Sequence, residues 1–184
     1  MAGLKETPSQ TAGPYVHIGC MPSRAGLSGI YAGRDLGAEM ISGNPVGQRI
    51  RLTLCVQDAA KEPVTDALVE IWQAGPDGSF GPSDGFCHWG RQSACPDTGQ
   101  VVFETLKPGA PAGQAPHILV WIAARGINLA LTTRLYFPDE DNSKDPVMRL
   151  AGPRKETLIA RKTKDGYAHL INLQGADETV FFDV

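Results

Sequence analysis

The sequence predicts an all-β fold: a β-sandwich of about eight short strands, with an irregular N-terminal arm and little helix. Three observations carry that expectation. Short apolar runs of strand length are separated by turn residues. The 21 glycines and 14 prolines are scattered along the 184 residues, as in a chain of short strands joined by tight turns. No stretch shows the apolar period of a long amphipathic helix, and no internal repeat is present.

Residues 1–49 have little periodic pattern and many breakers, from Pro8 and Gly13-Pro14 to Gly43 and Pro45. Connections inside a compact domain are mostly ~4–6 residues, so an arm of this length is either disordered or laid along another surface. Residues 11–18, TAGPYVHI, are not the charged, weakly hydrophobic material that stays solvated. That favours the second reading. The sandwich domain is then expected over residues 50–184.

Residues 50–56 alternate, with Ile50, Leu52, Leu54 and Val56 on one face of a strand. Residues 57–66 read as a turn through Asp58, Pro63 and Asp66, and residues 67–73 as a second strand. A polar, glycine-rich excursion over 79–99 leads to a strand over 101–106 and a loop at 107–113. The central stretch, 114–137, holds apolar runs at 118–123 and 129–131 around the break Arg125-Gly126-Ile127-Asn128. Both runs read as strands buried on both faces. Pro116 and Gly126 argue against a helix there. Asp145 and Pro146 have the residue types of a cap and first position of a one-turn helix. Residues 155–161 and 167–173 are expected to pair around Lys164-Asp165-Gly166, and 179–182 to close the chain as an apolar strand. Trp72 and Trp121 are expected in the core.

Composition excludes several classes. With 17 Lys and Arg against 20 Asp and Glu, the net charge is −3, which provides no basic field for nucleic acid or an anionic membrane. No run approaches the roughly 20 apolar residues of a membrane span, and the first residues lack the apolar core of a secretory signal. Cys20, Cys55, Cys87 and Cys95 have no Cys-x-x-Cys spacing and are expected as reduced thiols of a cytoplasmic protein. His17, His88, His117 and His169 stand singly, without metal-ligand spacing. There is no nucleophile elbow, phosphate-binding loop or zinc signature. The acidic run at 139–141 reads as a solvated face. Arg125, at the end of an apolar run, is either a solvated cation or a binding group. A self-contained metalloenzyme would have to use the four histidines in some other arrangement.

Six segments in order carry a more specific signal. They are Glu6-Thr7-Pro8-Ser9-Gln10-Thr11-Ala12-Gly13-Pro14-Tyr15, Glu70-Ile71-Trp72-Gln73-Ala74, Lys107-Pro108-Gly109, Ala115-Pro116-His117, Leu135-Tyr136-Phe137 and Glu178-Thr179-Val180-Phe181-Phe182-Asp183. Together they resemble the intradiol ring-cleavage dioxygenases over nearly the whole chain, and most closely the α chains of the two-chain members. The resemblance implies O2-dependent cleavage of a carboxylated catechol, protocatechuate, at a site between this chain and a homologous β chain. In the family a ferric ion is held by two tyrosines and two histidines. Those positions fall here on Phe80, eight residues after Trp72, near Pro111, on His117 and on Leu119. A phenyl ring, a proline and a hydrocarbon supply no ligand atom, and one imidazole cannot hold Fe(III). The resemblance therefore implies a degenerate site here and Fe(III) on the β chain, with none bound by this chain alone. It also implies that Thr11, Gly13, Pro14, Tyr15 and Arg125 shape the substrate pocket. Arg125 offers a planar two-pronged donor to the substrate carboxylate. Gly13 and Pro14 allow a rigid backbone to approach the ring. The competing reading is a β-sandwich binding or scaffolding module without enzymatic context.

Overall fold

The computed structural model describes residues 11–183. The Glu6-to-Gln10 part of the arm motif lies outside the described residues. Eight strands form two four-stranded sheets, and the core lies between them. The strands are β1 (Arg49–Gln57), β2 (Leu68–Gln73), β3 (Trp89–Ser93), β4 (Gln100–Leu106), β5 (His117–Ala123), β6 (Leu131–Tyr136), β7 (Arg161–Lys162) and β8 (Gly166–Asn172). One sheet has the order β4-β1-β8-β7 and the other β3-β2-β5-β6. β1 and β8 run parallel; every other pair is antiparallel.

β1 forms as its alternation predicts. Ile50, Leu52, Leu54 and Val56 are buried, facing Val69 and Ile71 of β2 and Ile118, Val120 and Ile122 of β5 across the core. Each such side chain contributes about 1.5–3 kcal/mol on burial. Gln73 joins the two sheets. Its amide donates to Leu106 O (2.7 Å) and its carbonyl accepts from Thr105 Oγ1 (2.8 Å). A buried amide so satisfied fixes how β2 sits over β4. The small helix α2 (Pro146–Leu150) starts as expected, with Asp145 accepting from Val147 N and Met148 N.

Several expectations are corrected. The two central runs are not covered on both faces: in β5 the side chains alternate, with Leu119, Trp121 and Ala123 only half-buried. Leu129 is exposed, and the second strand begins only at Leu131. Trp72 is 48% exposed rather than in the core. It lies on the outer face of β2, with its ring 6.0 Å from Trp89, over which the Arg91 guanidinium also lies. The excursion at 79–99 hides β3, whose half-buried Trp89, Arg91 and Gln92 lack an apolar alternation. Residues Gly152–Leu158 form a 3-10 helix, leaving only Arg161–Lys162 to pair with β8. Residues 179–182 are not a strand. Thr157 Oγ1 accepts from Val180 N, and Thr133 Oγ1 donates to Val180 O, so at Val180 side chains take both bonds that a ladder would use.

The described part of the arm contains a short helix, α1 (Pro14–Cys20), with Pro14 at its first position. Beyond α1 the arm lies on its own sandwich: Met21, Pro22, Asp35 and Met40 are buried. Arg24 donates to Ala94 O (2.9 Å) and Gln92 to Ala38 O (2.9 Å). The described cysteines are all free thiols. Among the described residues no helix is long and apolar enough to cross a membrane.

Candidate functional site

Strand β5 has a different environment at each end. Just past its C-terminal end the chain turns at Ala124-Arg125-Gly126-Ile127, closed by Ile127 N donating to Ala124 O (3.2 Å). Gly126 has φ +88, which a side chain would strain. The start of the described arm is tied to this turn, since Gly126 N donates to Thr11 Oγ1 at 2.6 Å. From Thr11 the chain passes through Gly13, in extended conformation, to Pro14 at the head of α1.

These pieces enclose a cleft of about 280 Å³, lined by Gly13, Pro14, His17, Ile18, Asp66 and Arg125 among others. Gly13 and Pro14 are thus brought together with Arg125, more than 100 residues away in sequence. Thr11 holds the turn but does not line the cleft, and Tyr15, 84% exposed, does not line it either. The guanidinium of Arg125 is largely exposed, with its Nε 3.8 Å from Asp66 Oδ2. His17 forms another wall. Burial lowers its pKa, the Asp66 carboxylate works against that, and Arg24 adds to it, so the ring favours its neutral form. The cleft therefore presents one open cation beside an apolar wall and a rigid backbone, which suits a small planar anion.

At the other end of β5, the positions that the resemblance assigns to a degenerate iron site lie in a different setting. His117 is buried, its Nδ1 2.8 Å from Ala115 O and its ring 5.8 Å from Tyr136. Burial lowers its pKa, the Ala115 carbonyl opposing. Leu119 is half-buried between Trp72 and Arg134 in the ladder. Pro111 is buried in the loop after β4, and Phe80 is 58% exposed, its ring 6.5 Å from His88. The loops carrying Phe80 and Pro111 meet where Gly109 N donates to Gly75 O (2.9 Å) and Gly78 abuts Ala110. Of these four side chains only His117 offers a ligand atom. That donor set does not fit Fe(III). A larger cleft of about 960 Å³ runs along residues 107–116. Its Lys107 is paired with Glu140 and Asp139, so that cation is already committed.

Curated relatives named "Protocatechuate 3,4-dioxygenase alpha chain" match from end to end. The one from Pseudomonas putida is 40% identical, covering 98% of this chain and 97% of its own length. The one from Burkholderia cepacia is 37% identical over the full length of both. The chain belongs to the protocatechuate 3,4-dioxygenase α-chain family. A β chain of that enzyme, from Burkholderia cepacia, is 31% identical over 82% of this chain and 78% of its own length. Of solved structures, the dioxygenase domain of a carbohydrate-binding fusion protein from Streptomyces sp. SirexAA-E superposes with a TM-score of 0.55 at 24% identity. It covers 91% of this chain and 96% of that one, which supports the sandwich fold. No family model matches.

Two features of the α-chain cleft escaped the sequence. Asp66 reads there as an ordinary turn residue, and His17 as a lone structural histidine. The signal for Asp66 lies in strand register: the β2–β5 ladder pairs Leu68 with Ala123, and two steps further it sets residue 66 opposite residue 125.

Proposed function

We propose that this chain is the α subunit of a protocatechuate 3,4-dioxygenase, and that its arm and Arg125 turn complete the substrate pocket of a homologous β chain. The observation that carries this reading is the single cleft that Gly13, Pro14 and Arg125 share. The reaction breaks the bond between the two hydroxyl-bearing carbons of protocatechuate. Both atoms of O2 enter the product, 3-carboxy-cis,cis-muconate, and two protons are released. Fe(III), held by the β chain, makes the ring reactive towards O2. This chain supplies positioning. The guanidinium of Arg125 receives the ring carboxylate, and Gly13 and Pro14 present backbone to the ring face. Thr11 holds the turn, and Tyr15, exposed beside the cleft, closes the pocket against the partner. The arm, residues 1–49, packs in part on that partner. Free thiols fit a cytoplasmic location.

The test measures iron content and protocatechuate cleavage for this chain alone and co-expressed with a β chain. The expected result is an iron-free, inactive lone chain and an iron-bearing, active mixture. Stoichiometric iron and turnover in the lone chain overturn the reading. A partner-free chain that never assembles with any β chain supports the scaffold alternative instead.

A further inference from the structure

We propose that Asp66 is a positioning residue that presents Arg125 to the substrate carboxylate; this rests on the function proposed above. The placement follows from the fold. In the antiparallel β2–β5 ladder, Leu68 faces Ala123 and Val69 faces Ile122. Continued beyond the last paired residues, that register puts Asp66 directly opposite Arg125. Opposite charges facing each other across two strands attract, and here the contact is double. Asp66 Oδ2 accepts the backbone N–H of Arg125 at 3.3 Å and lies 3.8 Å from its Nε. Ala67, the next residue, is fully buried, and its N–H donates to Val64 O at 3.3 Å. The carboxylate therefore stands on an anchored strand entrance rather than on a free loop.

A guanidinium has two donor edges that match a carboxylate. The Nε side of Arg125 is turned to Asp66, while Nη1 and Nη2 have no partner among the described residues. Asp66 thus lies on the Nε side of the guanidinium and leaves the outer edge for a ligand. It also restrains a long side chain that is otherwise 70% exposed and free to sample many rotamers. Restricting those rotamers before binding removes part of the ordering cost of the complex. Asp66 carries the same charge as the ligand and so repels it. Both groups of the pair face solvent, with side-chain exposures of 70% and 43%, so that repulsion is screened. Orientation outweighs it. The turn is secured twice, by Asp66 at Arg125 N and by Thr11 at Gly126 N. Loss of the carboxylate therefore loosens the guanidinium without releasing the turn.

The test uses this chain assembled with its iron-bearing partner, and compares protocatechuate with catechol, which lacks the carboxylate. Asp66→Ala is expected to raise KM for protocatechuate about 2- to 5-fold, the range of an exposed charge contact. The turnover number stays within about twofold, since the contact is not at the reacting carbons. The KM or inhibition constant of catechol does not change. Asp66→Asn, which keeps an oxygen for Arg125 N–H, gives a smaller rise and guards against a folding defect in the alanine variant. On an Arg125→Leu background Asp66→Ala adds nothing, because the residue acts only through the guanidinium. An unchanged or lowered KM for protocatechuate, an equal rise for catechol, or full additivity with Arg125→Leu overturns the positioning role. If Arg125→Leu alone changes KM, only that role is lost; if Arg125→Leu alone has no effect, the carboxylate-binding reading fails with it.

Discussion

The two ends of β5 serve different purposes. At His117 polar atoms are buried and matched within the chain: Nδ1 is on Ala115 O, while neighbouring Tyr136 donates to Asp145 Oδ1 at 2.9 Å. At Arg125 a cation is left largely open beside a cleft. Satisfied buried polar groups stabilise a fold, whereas an open, oriented cation adds little to stability and is available to a ligand. Eight residues apart, the start of β5 and the turn just past its end thus divide into a structural end and a proposed binding end.

That division predicts which measurement each substitution moves. The largest effect is expected for Asp145→Ala at the structural end. The Asp145 carboxylate is buried and accepts from Ala115 N, Tyr136 Oη, Val147 N and Met148 N. Losing a helix cap and stranding buried donors costs about 3 kcal/mol or more, seen as a Tm lower by roughly 6–12 °C. KM for protocatechuate in the assembled enzyme is expected to stay unchanged. A shift of KM without a shift of Tm breaks the comparison.

The buried histidines set the next effect. Burial holds the pKa of His169 down to about 4, with the Ile159 carbonyl opposing, and that of His117 below its ordinary value. Both rings fold neutral and become protonated more readily when unfolded. Stability is therefore full above the unfolded pKa near 6.5 and declines as pH falls from there towards 4. The His169 share amounts to about 3 kcal/mol, at roughly 1.4 kcal/mol per pKa unit. Asp139 loses its contribution only at lower pH. Burial raises its pKa, but hydrogen bonds from Lys162 and Tyr167 outweigh that and hold it at about 2. Urea unfolding of His169→Gln between pH 7 and pH 4 is expected to show a much flatter slope than the parent chain.

At the binding end Arg125→Leu is expected to raise KM for protocatechuate about tenfold or more, the weight of a charge-assisted hydrogen bond. Its stability is expected to stay within the range of ordinary surface changes, about 0.5 kcal/mol. Unchanged KM in the mixed-chain enzyme removes Arg125 from the pocket. The smallest effect is expected for Leu119→His, which restores one imidazole at the structural end. With Phe80 and Pro111 still lacking donors, metal analysis should show no iron above background. Iron uptake by that single variant contradicts the reading of a dead site.

Much of this division was legible in the residues. Phe80, Pro111 and Leu119 supply no ligand atom at the positions that the ordered motifs locate. Arg125 is conspicuous as a cation ending an apolar run. Tyr15, which the resemblance assigns to the substrate pocket, has its side chain outside the cleft of this chain. β3 was missed because Trp89 and Arg91 face outward over a neighbouring strand, and a cation–π contact at 4.9 Å leaves no apolar period to read.

The sequence by itself determined the sandwich, the strand faces of β1 and the α2 cap. Those depend on local period, backbone restriction and side-chain donor atoms, all written in neighbouring residues. Only the tertiary structure decided that Thr11 bonds the Arg125 turn, that Gln73 clamps one sheet to the other, and that Asp66 stands opposite Arg125. Each joins residues 30 or more apart. Such pairs are set by how distant segments meet, and that is fixed by packing the whole core at once rather than by any segment alone.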